Sequence, residues 1–164
     1  MRSLDYLIIP LWEAFGWFDE GLQSSLKLRG WQTMTRPESA VMIHVILGIN
    51  RPSDIARNLG LTRQAIHITI SKMVEKGVLE LHSDPLDARV SVVGLTKVGK
   101  EMRRDAKTIV QYIESVLTER IGAQRVRSLK AALAPDWGAP VIYTDQIPSK
   151  RTRKKAAPAT RKAK

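Results

Sequence analysis

The chain has 164 residues, no cysteine, a formal net charge of +11 and a pI near 10.3. That length suits one domain with a real hydrophobic core, while the lack of Cys excludes disulfides, Cys-ligated zinc and thiol redox chemistry and makes the cytoplasm the default compartment. The longest apolar run near the N-terminus, Tyr6 to Trp12, falls far short of the roughly 20 residues of a membrane span, contains Pro10, and has flanks unlike those of a signal peptide.

In chain order, Leu4, Leu7, Ile8, Leu11, Trp12, Phe15, Phe18, Leu22 and Leu26 recur at three- and four-residue spacings and predict an amphipathic helix that either starts near Pro10 or kinks there, with Gly30 as its stop. Thr35-Arg36-Pro37-Glu38 is a helix-start signature, a Thr answered three residues later by Glu with Pro in the first turn. It opens a helix through Val41, Ile43, Val45 and Ile46 that Gly48 closes. A short helix over Ser53 to Leu59, the turn Leu59-Gly60-Leu61, and a longer helix from Thr62 to Gly77 make a helix-turn-helix. After Gly77 the apolar period drops to two: Val78 to His82 and Val90 to Leu95 predict a hairpin joined by Asp84-Pro85-Leu86-Asp87-Ala88-Arg89. Thr96 then caps a long helix bearing Val98, Met102, Ile109, Val110, Ile113, Val116, Leu117 and Ile121, Gly122 breaks it, and Val126, Leu129 and Leu133 continue on a shorter one. Asp136 to Ile147 reads as irregular. Pro148 to Lys164 reads as a disordered basic tail, holding eight of the 27 Lys and Arg and no acid. The remaining 19 basic side chains face 16 acidic ones, so the body is only mildly basic and any binding of a polyanion by it must rest on particular residues.

Helix-turn-helix followed by a hairpin is a winged helix-turn-helix. Its second helix fits the DNA major groove, and an arginine on the hairpin tip reaches the neighbouring minor groove. With Ile66, Ile70, Met73 and Val74 inward, Arg63, Gln64, His67, Ile68 and Ser71 face outward. Gln can pair with adenine and Arg with guanine, an exposed Ile68 could pack on thymine methyls, and Thr62, Arg63 and Lys72 can reach phosphates.

The run SDIARNLGLTRQAIHITISKMVEKGVLELHSDPLDARVSVVGLTKVGKEM, Ser53 to Met102, resembles the DNA-binding core of the MarR family of dimeric transcriptional regulators, and the similarity extends over roughly Leu4 to Leu133. The wing carries its most specific part: Asp84, Asp87 and Arg89 match three positions of the family's Asp/Arg pattern, while Leu86 stands where the family often has its first Arg. The resemblance implies that Arg89 enters the minor groove, that Asp87 holds the wing or its arginine in place by a charge-assisted hydrogen bond, and that Leu86 removes one internal salt bridge. Ile68 is a second departure, from a position that is commonly polar or basic.

The expected fold is thus mainly α, with a winged helix-turn-helix over about residues 35–96, dimerisation helices over about 4–29 and 97–134, a MarR-like domain ending near 147 and the tail beyond it. The expected function is that of a cytoplasmic, nucleoid-associated regulator of transcription, a repressor that binds a palindromic operator as a homodimer. The resemblance also implies a small aromatic or anionic effector held between the two lobes, for which Trp12, Phe15, Trp31 and His44 are the candidate residues. Two other readings stay open: an architectural, nonspecific DNA binder dominated by the tail, and a winged-helix protein-interaction module. No cofactor and no metal site are expected, since three scattered His without Cys make a poor ligand set. No enzyme is expected either, because the Ser-x-x-Lys spacing at Ser24 to Lys27 lacks its companion motifs.

Overall fold

The computed structural model describes residues 6–84, 87 and 89–142. Leu4, Leu86 and the basic tail therefore lie outside the described residues. The first helix, α1, runs Ile8–Leu28 and holds Pro10 in its opening turn, where a backbone N–H has no intrahelical partner to lose. Pro10 marks a start and not a kink. Next is α2, Arg36–Ile46, opened by the full capping box: Thr35 N–H donates to Glu38 Oε2 at 2.7 Å and Glu38 N–H donates to Thr35 Oγ1 at 3.4 Å.

Helices α3, Pro52–Leu59, and α4, Arg63–Glu75, form the helix-turn-helix, and strands β1, Leu79–Ser83, and β2, Ser91–Leu95, pair antiparallel with Leu79 opposite Leu95 and Ser83 opposite Ser91. Thr96 then caps α5, Lys97–Ile121, by accepting the Gly99 N–H at 2.9 Å, and α6 follows over Ala123–Leu133. Among the described residues the architecture is six helices with one two-stranded wing between the fourth and fifth, the mainly α winged helix-turn-helix that the sequence leads one to expect.

The centre of the core lies among α2, α3, α4 and the base of the wing. Val41 of α2, Ile55 of α3, Ile66, Ile70 and Met73 of α4 and Leu79 of β1 are all fully buried, each contributing about 1.5–3 kcal/mol through removal of apolar surface from water. Phe18, Leu22 and Leu26 of α1 extend this core onto Met102, Ile109 and Ile113 of α5. Two polar links fix the α1–α2 connection to the later chain. Trp31 Nε1–H donates to Asp105 Oδ2 at 2.8 Å, with Arg29 bonding the other oxygen at 3.2 Å. Farther along, Lys76 at the end of α4 donates to both oxygens of Glu38 at 2.8 Å and to the Thr33 carbonyl at 3.2 Å.

Glu38 is thus both a helix cap and half of a buried ion pair, at 2% exposure. Burial pushes its carboxyl up, but the Lys76 ammonium and the Thr35 donors outweigh that, and its pKa lies below the ordinary value of 4.5.

Some apolar positions face outward where the spacing alone suggested a packed face. Val74 is a correction: it is 36% exposed, since Ile66, Ile70 and Met73 already fill the buried row of α4 and Val74 sits about 100° round from Met73. Ile43 of α2 and Val98 and Val110 of α5 are exposed as well. Among the described residues the N-terminal part of α1 is largely open: Tyr6, Leu7, Ile8, Trp12 and Phe15 are 47% to 69% exposed, and Leu129, Leu133 and Trp137 on and after α6 are exposed as well.

Candidate nucleic-acid interface

The turn between α3 and α4 is set by Gly60. Its φ of +63° lies in the left-handed region, which needs glycine, and it lets the Gly60 and Leu61 N–H groups return to the Arg57 and Ala56 carbonyls at 3.2 and 3.0 Å. Two residues on, the Thr62 hydroxyl accepts the Ala65 N–H at 3.1 Å and starts α4. Thr62→Ala is expected to destabilise the fold by about 1 kcal/mol, readable as a lower urea midpoint with an unchanged slope.

With Ile66, Ile70 and Met73 locked inward, the opposite face of α4 is Arg63, Gln64, His67, Ile68, Ser71 and Lys72, and every one of these is exposed, as is Thr62. Gln64, His67 or Ile68, and Ser71 follow one another at helical spacing and form a row roughly 10 Å long, about three base-pair steps. No acid stands in the first turn of α4, and in the whole helix the only acid is Glu75, its last residue. The N-terminus of α4 therefore offers free backbone N–H groups, a threonine and an arginine, a combination suited to a phosphate. Ile68, 51% exposed, puts an apolar surface in the middle of this polar row.

The hairpin closes by backbone bonds that continue past the strands: Asp84 N–H donates to the Val90 carbonyl at 2.8 Å, and Asp87 and Val90 N–H donate to the Asp84 and Asp87 carbonyls at 3.2 and 2.9 Å. The Asp87 carboxylate accepts the main-chain N–H of Arg89 at 3.1 Å, and the Arg89 side chain is exposed.

Sequence reasoning missed Arg51 and Asn50 here. Asp84 is 7% exposed, and Arg51, the residue preceding α3, holds it through Nε at 2.8 Å and through a second guanidinium nitrogen. Beside it, Val93 N–H of β2 donates to the Asn50 carbonyl at 2.8 Å. The partners of the ion pair are 33 residues apart, a distance no spacing rule spans. A buried carboxylate calls for a cation, but the burial of Asp84 is itself visible only in the structure.

The four candidate effector residues do not share one site. Trp12 and Phe15 are neighbours on the open face of α1, ring centroids 6.4 Å apart, with the Arg36 guanidinium 4.8 Å over the Trp12 ring. His44 is half-buried, its Nδ1 2.8 Å from the Ala40 carbonyl of its own helix. Trp31 borders a cavity of about 210 Å³ with Met34, Lys76, Val78, Val98 and Met102.

No protein-family model matches the sequence, and no curated protein does. Solved structures do match in fold. Wild-type MarR of E. coli in its apo form is 21% identical, over 80% of this chain and 97% of that one, with a TM-score of 0.63. A MarR-family transcriptional regulator from Rhodococcus sp. RHA1 is 20% identical over 81% and 94%, with a TM-score of 0.61. A MepR variant of S. aureus bound to an oligodeoxyribonucleotide is 16% identical over 79% and 95%, with a TM-score of 0.51. No helix of the described residues is long and apolar enough to cross a membrane. The chain has the winged-helix fold of MarR-family transcriptional regulators.

Proposed function

We propose that this protein is a sequence-specific, DNA-binding transcriptional regulator that acts as a homodimer and represses by occupying a palindromic operator. The observation that carries the reading is the exposed face of α4: a polar, acid-free row beginning at a capped helix N-terminus, held out by three fully buried side chains and flanked by a wing with an exposed Arg89. Phosphate contacts from Thr62, Arg63 and Lys72 set the register, while Gln64, His67, Ile68 and Ser71 meet base edges. Asp87 supports the turn from which Arg89 enters the minor groove. The DNA-bound state of the MepR variant, a protein of the same fold, supports nucleic acid as the partner.

Dimerisation is supported by the uncovered apolar rows of α1 and α6, a larger set of exposed aromatics than a lone chain needs to keep in water. A two-fold axis would place two α4 helices in successive major grooves about one helical turn apart. Sedimentation equilibrium is expected to return twice the chain mass of 18.4 kDa. A small aromatic or anionic effector is proposed at the Trp31 cavity, where Lys76 supplies a cation and Val98 and Met102 an apolar wall.

Selection of bound sequences from random duplexes at physiological salt, with the full chain and with a chain ending at Ile147, tests the reading. Both are expected to enrich one palindromic consensus; no enrichment by either rejects it, and binding that vanishes with the tail favours the nonspecific alternative. On the selected site Arg89→Ala is expected to weaken binding by about 1–3 kcal/mol, read by fluorescence anisotropy. An unchanged affinity would leave the wing outside the interface.

A further inference from the structure

The structure joins the wing to the helix-turn-helix by a side-chain link that the wing's own sequence does not contain. Arg51 stands immediately before α3, as its N-terminal flanking residue, and uses no side-chain cap there. Its guanidinium reaches instead to Asp84 at the far end of β1, donating through Nε at 2.8 Å and through a second nitrogen to the same oxygen. The Asp84 main chain is also the base of the wing turn. Its N–H goes to Val90 and its carbonyl accepts from Asp87, whose carboxylate in turn accepts the Arg89 N–H. A continuous path therefore runs Arg51, Asp84, Asp87, Arg89. The neighbouring Asn50 carbonyl takes the Val93 N–H, so the segment before α3 grips both strands of the hairpin.

We propose that Arg51 is a positioning residue for the minor-groove contact: by holding the Asp84 carboxylate it fixes where the wing, and so Arg89, stands relative to α4. This rests on the DNA-binding reading above. The pair joins a 7% exposed carboxylate to a guanidinium that is 42% exposed, so one partner is fixed by packing while the other stays anchored through the α3 start. Within the wing itself Leu86 cannot supply a cation, and Arg51 supplies one from outside it. An arginine suits the task because its planar fork is directional, whereas a lysine ammonium would hold the charge but not the angle.

The test uses the full-length chain and three substitutions, Arg51→Met, Asp84→Asn and Arg89→Ala, singly and combined, with two readouts. Affinity for the selected operator is expected to fall about tenfold for Arg51→Met and for Asp84→Asn alike. The second loss has the opposite sign to simple electrostatics, since removing an acid near DNA would strengthen binding. Combined with Arg89→Ala, neither is expected to cost more than Arg89→Ala alone, the non-additivity of residues acting through one contact. Additive losses, or an Asp84→Asn variant that binds as well as or better than the unaltered chain, would overturn the proposal and make Arg51 a direct phosphate contact or a bystander.

The second readout needs no DNA. Brief trypsin treatment followed by mass spectrometry is expected to show faster cleavage after Arg89 in Arg51→Met and Asp84→Asn, by the same factor and with no further gain in the double variant, while cleavage after Lys72 on α4 stays at its original rate. Unchanged cleavage after Arg89 means the wing is not held by this pair. An increase at both bonds means the pair serves global stability, and either result overturns the proposal. If the unaltered chain selects no DNA sequence, the functional reading fails while the proteolysis still decides whether Arg51 positions the wing.

Discussion

Lys76→Met is expected to be the most damaging conservative-volume substitution in the winged helix-turn-helix, lowering stability by about 3–5 kcal/mol. The ammonium it removes bonds both oxygens of a carboxylate that is 2% exposed, so the substitution leaves a buried charge without its cation. The variant's signature lies in its pH dependence. In the unaltered protein Glu38 has a lowered pKa, so its contribution to stability is complete above the ordinary value of 4.5 and is lost as pH falls through the lower, folded-state pKa. Without Lys76 only the Thr35 donors still oppose the effect of burial, so the folded-state pKa rises from its value in the parent and acidification costs the variant less than it costs the parent. The stability gap between variant and parent is therefore expected to be widest at neutral pH and to narrow as pH falls towards and below 4.5, measured by urea unfolding at several pH values. A gap independent of pH would show that Lys76 acts through its methylenes alone. Glu38→Gln combined with Lys76→Met is expected to recover most of the loss, because it removes the charge left without a partner.

Gly99→Ala is the second large effect. An added methyl at this position would lie 2.1 Å from the Val78 carbonyl oxygen, which is backbone and cannot rotate aside. The first turn of α5 would have to lift from the base of the wing, where the Thr96 hydroxyl also donates to the Gly77 carbonyl at 2.6 Å. A cost of about 3 kcal/mol, at the upper end for overpacking, is expected. Calorimetry reads it as a lowered Tm, and hydrogen exchange is expected to locate the loosened amides at the start of α5 and at β1. An unchanged Tm would mean that this junction gives way at little cost.

What could be read from the sequence was local. Thr35 with Glu38, Gly60, Thr62 and Thr96 each announce their structure within four residues, so the element order and the winged helix-turn-helix follow from short-range rules. The row of outward residues on α4 was legible too, because three buried positions fix the phase of a helix. Val74 was misplaced for the same reason: the helical period says which residues share a face, not how wide the buried strip is.

Hidden from the sequence were the contacts between distant elements. Glu38 reads as a cap and nothing more until Lys76 arrives from 38 residues away, and Trp31 reads as an apolar pocket candidate until its indole N–H meets Asp105, 74 residues on. The Arg51–Asp84 pair belongs to the same class. Such links depend on how helices pack, and nothing in the spacing of either partner encodes the other.

The unbroken length of α5 has a mechanical consequence. At 25 residues it measures about 37 Å, and it is clamped at one end against the Val78 carbonyl while its other end leads into α6. A rigid rod of that length acts as a lever: a tilt of only about 5° at one end moves the other by about 3 Å, close to the 3.4 Å rise of one base-pair step. In the proposed two-fold dimer the displacement would be applied twice, in opposite directions. On the proposed function, a slight change of angle where the two copies meet would then shift the two α4 helices relative to one another by more than one base-pair step.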